Sequence, residues 1–247
     1  MSMDLDIAPW MGRTELLLGP DKLKRLVNSN VLVVGLGGVG GIAAEMIARS
    51  GVGKMTIVDA DTVDPTNRNR QIPALKSTEH KIKADVLAER LLDINPELDL
   101  TVIPEYFRDQ LTHDVLDNGN FDYALDCIDT LSPKVYFIKA CIDRKIPIVS
   151  SMGAGSKVDP TRVRVADISE TYNCKLARYT RKYLHRLGVY KGVKAVFSDE
   201  QKFIGAQVVE TTAARNKRSF VGTISYIPAV FGCTVASVAI RDLYERA

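Results

Sequence analysis

Residues 31–41 read VLVVGLGGVGG, and residues 54–71 read KMTIVDADTVDPTNRNRQ. The first stretch opens on an apolar run of strand length, 31–34. Gly35, Gly37, Gly38 and Gly40 come next, and an Ala/Ile/Met-rich segment runs on to Arg49. A strand, a glycine turn and a helix start in that order make a phosphate site. Without side chains the backbone can approach an anion, and the free N–H groups of the helix start point at it. A second strand is predicted over 55–58. It ends at Asp59, about 20 residues past the glycines, where a carboxylate accepts hydrogen bonds from ribose hydroxyls. The bland alternative is that the glycines serve only a tight turn.

The residues after Asp59 separate two kinds of nucleotide site. A dinucleotide that stays whole is held mainly by backbone N–H groups and the helix dipole. Here Asp61 is succeeded by Asn67, Arg68, Asn69, Arg70 and Gln71, with Lys81 and Lys83 close behind. Several cations converging on phosphates suit a triphosphate that is cleaved, because such chemistry depends on positioning and on neutralising charge. A solvated basic loop is the competing reading.

The order GLGGVG, VDADTVDPTNRNRQ, a lysine-bearing helix ending in INP, and DCIDT at 126–130 resembles the E1-like superfamily. This superfamily contains the ubiquitin-activating enzymes and the bacterial adenylating enzymes of the ThiF, MoeB and HesA type. The resemblance covers residues 13–153. It implies an α/β Rossmann-like adenylation fold, a mostly parallel sheet flanked by helices, with a C-terminal extension. Residues 1–155 would form the ATP-binding core, and residues 156–247 a substrate-binding and dimer-contact part of the same domain. The resemblance implies ATP and Mg²⁺ and leaves a monovalent cation open. It assigns Arg70, Lys83 and Arg13 to the phosphates, Asn67 to an oxygen, and Asp129 to Mg²⁺ or the adenylate. Gly35, Gly37, Gly38, Gly40, Asp59 and Asp61 would surround the nucleotide. Arg13 would act in its own subunit or across a homodimer, and Asp126 would be structural.

Composition sets outer limits. The chain has 247 residues, 46% hydrophobic and 26% charged, enough for one ordinary globular domain with ample core. A net charge of +3 does not by itself argue for nucleic acid. No apolar run approaches a membrane span of about 20 residues, and residues 1–10 lack the pattern of a signal peptide. A cytoplasmic protein without a membrane partner is expected. Cys127, Cys141, Cys174 and Cys233 are isolated, so the tetra-cysteine zinc site of several E1-like relatives is missing. Cys127 and Cys141 are expected to be buried. His80, His113 and His185 fall in unrelated segments and make no catalytic triad.

Pattern predicts the remaining elements. Helices are predicted over 21–27, 79–92, 109–116, 132–144, 171–187 and 225–244, and strands over 100–103, 121–125, 146–149 and 162–166. A long loop, 61–78, joins the second strand to its helix, and loops of that length are usually functional. On the 79–92 helix Ile82, Val86, Leu87, Leu91 and Leu92 would face inward, with Lys83 elsewhere. On the 171–187 helix Leu176, Thr180, Tyr183, Leu184 and Leu187 would face inward.

The second half distinguishes members of the superfamily. From Thr171 to Ser198 there is no acidic residue, while Lys175, Arg178, Arg181, Lys182 and Arg186 crowd one helix, with Tyr179, Tyr183 and Tyr190 among them. Cations and aromatics together suit RNA, by phosphate contact and base stacking; a solvated face is the alternative. Arg215, Lys217 and Arg218 would extend the patch. MGAGSKVDPTRVRVADISET, then KAVFSDE, then GTISYIPAVFG resembles the tRNA threonylcarbamoyladenosine dehydratases. That resemblance implies ATP-dependent activation of the threonine carboxylate on tRNA carrying threonylcarbamoyladenosine, then cyclisation. Some of those enzymes carry a cysteine before the last helix; here residues 220–222 are Phe, Val and Gly. An activator of a ubiquitin-like sulfur-carrier protein, with a sulfur-transfer partner, is the alternative. A nucleotide-sensing module and a nicotinamide oxidoreductase are weaker ones.

Overall fold

The computed structural model describes residues 8–203, 208–210 and 219–245. The first βαβ unit forms as its sequence dictates. Strand β1 (Asn30–Val34) leads through the glycine turn into α3 (Gly40–Arg49) and then β2 (Lys54–Val58). Two helices precede it, α1 (Gly12–Leu18) and α2 (Pro20–Val27). The chain continues through α4 (Lys83–Ile94), β3 (Asp99–Ile103), α5 (Asp109–Asn118), β4 (Tyr123–Asp126), α6 (Leu131–Asp143) and β5 (Ile148–Ser151). Then come β6 (Val163–Asp167), α7 (Lys175–Arg186), β7 (Lys194–Ser198), the pair β8 (Val208–Glu210) and β9 (Ser219–Val221), and α8 (Tyr226–Glu245).

Seven strands make one sheet in the order β3-β2-β1-β4-β5-β7-β6. All neighbours are parallel except β6, which runs antiparallel to β7. After β1 the chain builds outward through β2 and β3, then returns to place β4 on the other side of β1. That reversal opens a crevice beyond the carboxyl ends of β1 and β4, where ligands of open parallel sheets bind. The glycine turn and Asp126 stand there.

Both faces of the sheet are covered, so its central strands are apolar on both sides. Val31, Val33, Met55, Ile57, Tyr123 and Leu125 pack with α3, α4 and α8. Leu32, Val34, Val58, Ala124 and Ile148 pack with α5, α6 and α7. Strand β7 was recognised in the sequence only as the motif KAVFSDE. It inserts between β5 and β6, and its continuous buried run is what a fully covered strand requires.

Two readings of helix phase are corrected. Helix α4 starts at Lys83, four residues later than its pattern suggested, and buries Lys83, Ala84, Leu87, Ala88 and Leu91, leaving Leu92 exposed. Helix α7 starts at Lys175 and buries Ala177, Thr180 and Leu184, with Tyr183 turned out. In both cases alanines supply the buried stripe, and a bulky residue marks its edge.

Helix α8 is long and apolar enough by composition to cross a membrane, which corrects the expectation that no segment is. Half of it is buried, and it lies across α3 and the sheet. Gly232 permits the close crossing: a Cβ there would come within 2.5 Å of the Val39 carbonyl oxygen. Cys141 and Cys174 are buried, Cys233 is exposed, and Cys127 is only partly buried.

Candidate nucleotide and substrate site

The glycine turn is closed by contacts that leave no room for a side chain at Gly35, Gly38 or Gly40. Gly35 has φ +87°, a left-handed conformation that favours glycine. A Cβ on Gly40 would lie 1.7 Å from the Gly35 carbonyl oxygen and 3.0 Å from Cys127 Cβ. One on Gly38 would lie 2.9 Å from Pro228 Cβ and 3.1 Å from the Arg70 carbonyl oxygen. Gly37 is looser, with only Gln71 Nε2 near, at 3.6 Å. The turn is thus flanked by residues 70–71 on one side and residues 127–128 on the other, with Pro228 of α8 beside Gly38.

Asp59 anchors this turn. Its Oδ2 accepts from the Leu36 N–H at 2.6 Å and its Oδ1 from the Asp61 N–H at 2.8 Å. Burial pushes its carboxyl above the usual range; the Lys83 charge and the two N–H groups pull the other way. Lys83 is brought in by the first turn of α4, and its ammonium lies 3.0 Å from Asp61 Oδ2. The sequence placed Asp61 near the nucleotide but did not identify it as the partner of Lys83. The pairing depends on a crossover that brings residues 61 and 83 together, and no local pattern reports that.

The 61–78 loop is shaped by a short turn at Pro65–Asn67. Asp64 caps it, accepting from the Thr66 N–H at 2.8 Å, and Oδ1 of the buried Asn67 accepts in turn from the Asp64 N–H at 3.2 Å. This hydrogen bond fixes the Asn67 amide. The Arg70 guanidinium donates to Thr66 O at 3.0 Å and Asn69 Oδ1 at 2.7 Å. Burial pushes Arg70 below its ordinary value, and the charge of Asp129 opposes that shift. A cation partly removed from water beside an open glycine turn is an anion-binding arrangement. Gln71 Oε1 is buried without a hydrogen-bond partner among the described residues.

Asn67, Arg70, Lys83, Asp59, Asp61 and Asp129 therefore gather around Gly35, Gly37, Gly38 and Gly40. Arg13 does not join them. It is exposed on α1, two residues from Met11, whose Cε would meet a Cβ on Gly51 beyond the far end of α3. A ten-residue helix puts that end about 15 Å from Gly40. Among the described residues no group of three or more His, Cys, Asp or Glu side chains could hold a metal ion. Burial pushes the Cys127 thiol up to about 12, with Asp126 adding to the effect, so it is no thiolate nucleophile near neutrality.

The sequence did not reveal the network beneath Asp129. Lys134 of α6 and Asp126 are both fully buried and paired at 2.6 Å. A lysine beside Val135, Phe137 and Ile138 on the inward part of a helix was the available signal.

The basic helix presents Lys175, Arg178, Lys182 and Arg186 to solvent, with Tyr179, Tyr183 and Tyr190 exposed beside them. The Arg186 guanidinium stacks over the Tyr183 ring at 5.0 Å. Arg181 is turned back instead, donating to Thr171 O at 2.7 Å. Arg215, Lys217 and Arg218 lie outside the described residues.

The likeness to known proteins extends over the whole architecture. The ThiF family matches residues 12–246. The tRNA threonylcarbamoyladenosine dehydratase of Bacillus subtilis is 39% identical over 239 residues, 94% of each chain. That of Escherichia coli is 36% identical over 252 residues, 96% of this chain and 94% of its own. The crystal structure of the Escherichia coli dehydratase, TcdA, in complex with ATP superimposes with a TM-score of 0.86 at 35% identity, covering 94% of this chain and 93% of the other. TcdA is also known in complex with AMP, with a TM-score of 0.84. The chain belongs to the ThiF family.

Proposed function

We propose that this protein is an ATP-dependent dehydratase acting on tRNA that carries threonylcarbamoyladenosine. It adenylates the threonine carboxylate of that nucleoside and drives its cyclisation. The observation that carries the reading is the likeness to such dehydratases over 94% and 96% of the chain, where the sulfur carrier protein ThiS adenylyltransferase of Escherichia coli matches 55% of it.

The site supports each step. A carboxylate is a poor electrophile and needs a leaving group. Its oxygen attacks the α-phosphorus of ATP, and pyrophosphate departs with the electrons of the broken P–O bond. Arg70 and Lys83 neutralise the charge that builds on the phosphates, and the amide of Asn67 orients an oxygen. The glycine turn supplies backbone N–H groups, and Asp59 and Asp61 set its shape and the direction of Lys83. Asp129 would be the carboxylate that holds Mg²⁺. That ion supplies further charge neutralisation when bound, and one or two carboxylates suit it because phosphates and water complete its shell. The modified base then closes on its own activated carbonyl and AMP leaves, an intramolecular attack with a large effective-concentration advantage. No enzymic nucleophile enters, and no sulfur-transfer protein partner is needed for the atoms to balance.

The reading includes a cytoplasmic homodimer. Leu16 and Leu17 of α1 are 85% and 82% exposed, with Trp10 also exposed nearby. A second copy would cover this apolar face, and Arg13, remote from its own site, would serve the partner's nucleotide in such a dimer. The exposed cations and rings of α7 would hold tRNA. The direct test is pyrophosphate release with modified and with unmodified tRNA. A protein ending in Gly-Gly as the only activating substrate would instead identify an activator of a sulfur carrier.

A further inference from the structure

Lys134 stands on the inward part of α6 among the buried Val135, Phe137, Ile138 and Cys141. Its side chain and that of Asp126 are both 0% exposed. The ammonium donates to Asp126 Oδ2 at 2.6 Å, to Ser151 O at 2.9 Å and to Ser150 Oγ at 3.2 Å. Those three bonds use every proton an ammonium has. Ser150 Oγ donates in turn to Asp126 Oδ2 at 2.6 Å, and Asp126 Oδ1 accepts from the Ile128 N–H at 3.1 Å.

A buried ion pair is a poor way to gain stability. Desolvating two charges costs about what their attraction returns, and apolar replacements of similar volume are often neutral or better. The location suggests another use. The network ties the carboxyl end of β4 to that of β5 and to the first turn of α6, at the edge of the ligand crevice. Through Ile128 it holds the turn that carries Asp129. The backbone of that turn lies against the glycines: a Cβ on Gly35 would meet Cys127 O at 2.9 Å and Ile128 N at 3.2 Å. Through the Ser151 carbonyl the network also holds the entry to the small-residue turn that begins at Met152 and Gly153.

We propose that Lys134 is a positioning residue for acyl-adenylate formation. Its ammonium clamps Asp126 and Ser151, and so fixes the 127–129 turn with Asp129 facing Arg70 and the glycine backbone. It touches neither nucleotide nor tRNA and acts through Asp126. The proposal rests on the reading of Asp129 and Arg70 given above.

The test uses three variants of the full chain, each assayed for pyrophosphate release with ATP, Mg²⁺ and threonylcarbamoylated tRNA. Thermal unfolding and ATP affinity are measured alongside. Lys134→Met should lower kcat at least about tenfold, the order expected of a small misplacement of reacting groups, while the Kd for ATP changes less than about threefold. Asp126→Leu/Lys134→Met removes both buried charges together, so its unfolding midpoint should recover toward that of the parent while kcat stays low. If kcat returns together with the midpoint in the double variant, the pair is only structural and the proposal is overturned. The double variant decides this even if Lys134→Met alone fails to fold. Asp129→Asn separates the two levels: full turnover in that variant overturns the reading of the site itself. Recovered turnover in the double variant, beside an impaired Asp129→Asn, overturns the positioning role alone.

Discussion

The ammonium of Lys83 lies 3.0 Å from Asp61 Oδ2, and the two side chains differ sharply in exposure, 6% for the lysine and 44% for the aspartate. The acid thus stands at the mouth of the site and aims a buried cation into it. Two variants should behave differently. Lys83→Met should lose roughly 10²-fold or more in pyrophosphate release, as expected for loss of a group that stabilises transition-state charge, with little loss of stability. Asp61→Ala leaves the lysine buried without its counter-ion and should destabilise the fold by about 1–3 kcal/mol, below the cost of breaking a fully buried pair because Asp61 is half in water. Chemical denaturation beside steady-state kinetics separates the two.

The glycines should separate fold from ligand binding. Gly40→Ala places a methyl 1.7 Å from the Gly35 carbonyl oxygen, a contact that only backbone movement relieves. It should cost about 3 kcal/mol or more, visible as a lowered unfolding midpoint without nucleotide. Gly37→Ala meets only the Gln71 amide at 3.6 Å and should fold normally. If the turn cradles phosphate as proposed, Gly37→Ala weakens ATP binding while its midpoint without nucleotide stays unchanged. Calorimetric titration with ATP checks this.

These two pairs also show what the sequence revealed. The glycine turn, its flanking strands and the acid ending β2 are local features with a fixed period, and they set the fold class and the place of the site. The Lys83–Asp61 and Lys134–Asp126 pairs are products of the crossovers, and only the folded sheet brings their members together. The phase errors on α4 and α7 have one cause. Alanines fill the buried stripe against neighbouring elements, so the large apolar residues at its edge misreport its direction. Strand β7 was missed because its buried run is too short to distinguish from a helix by periodicity.

Acid should loosen the junction of β6 and β7. Asp199 is paired with Arg162 at 2.6 Å and Arg164 at 3.2 Å. The hydrogen bond from Arg162, then the charges of both arginines, hold its carboxyl below the usual carboxylate range. A carboxyl depressed by folding contributes stability that is present above its unfolded value, about 3.9, and lost as pH falls through its folded value. The unfolding midpoint should therefore drop as pH falls below about 4, and Asp199→Asn should flatten part of that drop. Thermal unfolding between pH 3 and 7, run at roughly constant ionic strength because surface pairs are screened by salt, is the check.

On α7 the cations should divide by their orientation. Arg178→Ala and Lys182→Ala alter exposed groups and should raise KM for tRNA without moving the unfolding midpoint. Each should lower the slope of log affinity against log salt by about 0.7–0.9. Arg181→Ala removes the donor to Thr171 O and should instead destabilise the fold by about 1–2 kcal/mol. Filter binding over a salt series, beside thermal unfolding, distinguishes the two classes.

The carboxylate that the proposed reaction activates belongs to a modified nucleoside in tRNA. The measurement that tests it most directly is pyrophosphate release with ATP and Mg²⁺, using tRNA that carries the threonylcarbamoyl group and unmodified tRNA as control, with mass analysis of the digested nucleosides. Release only with the modified tRNA, together with loss of one water mass from the nucleoside, is the predicted result. Equal rates with both tRNAs, or release with neither, would contradict it.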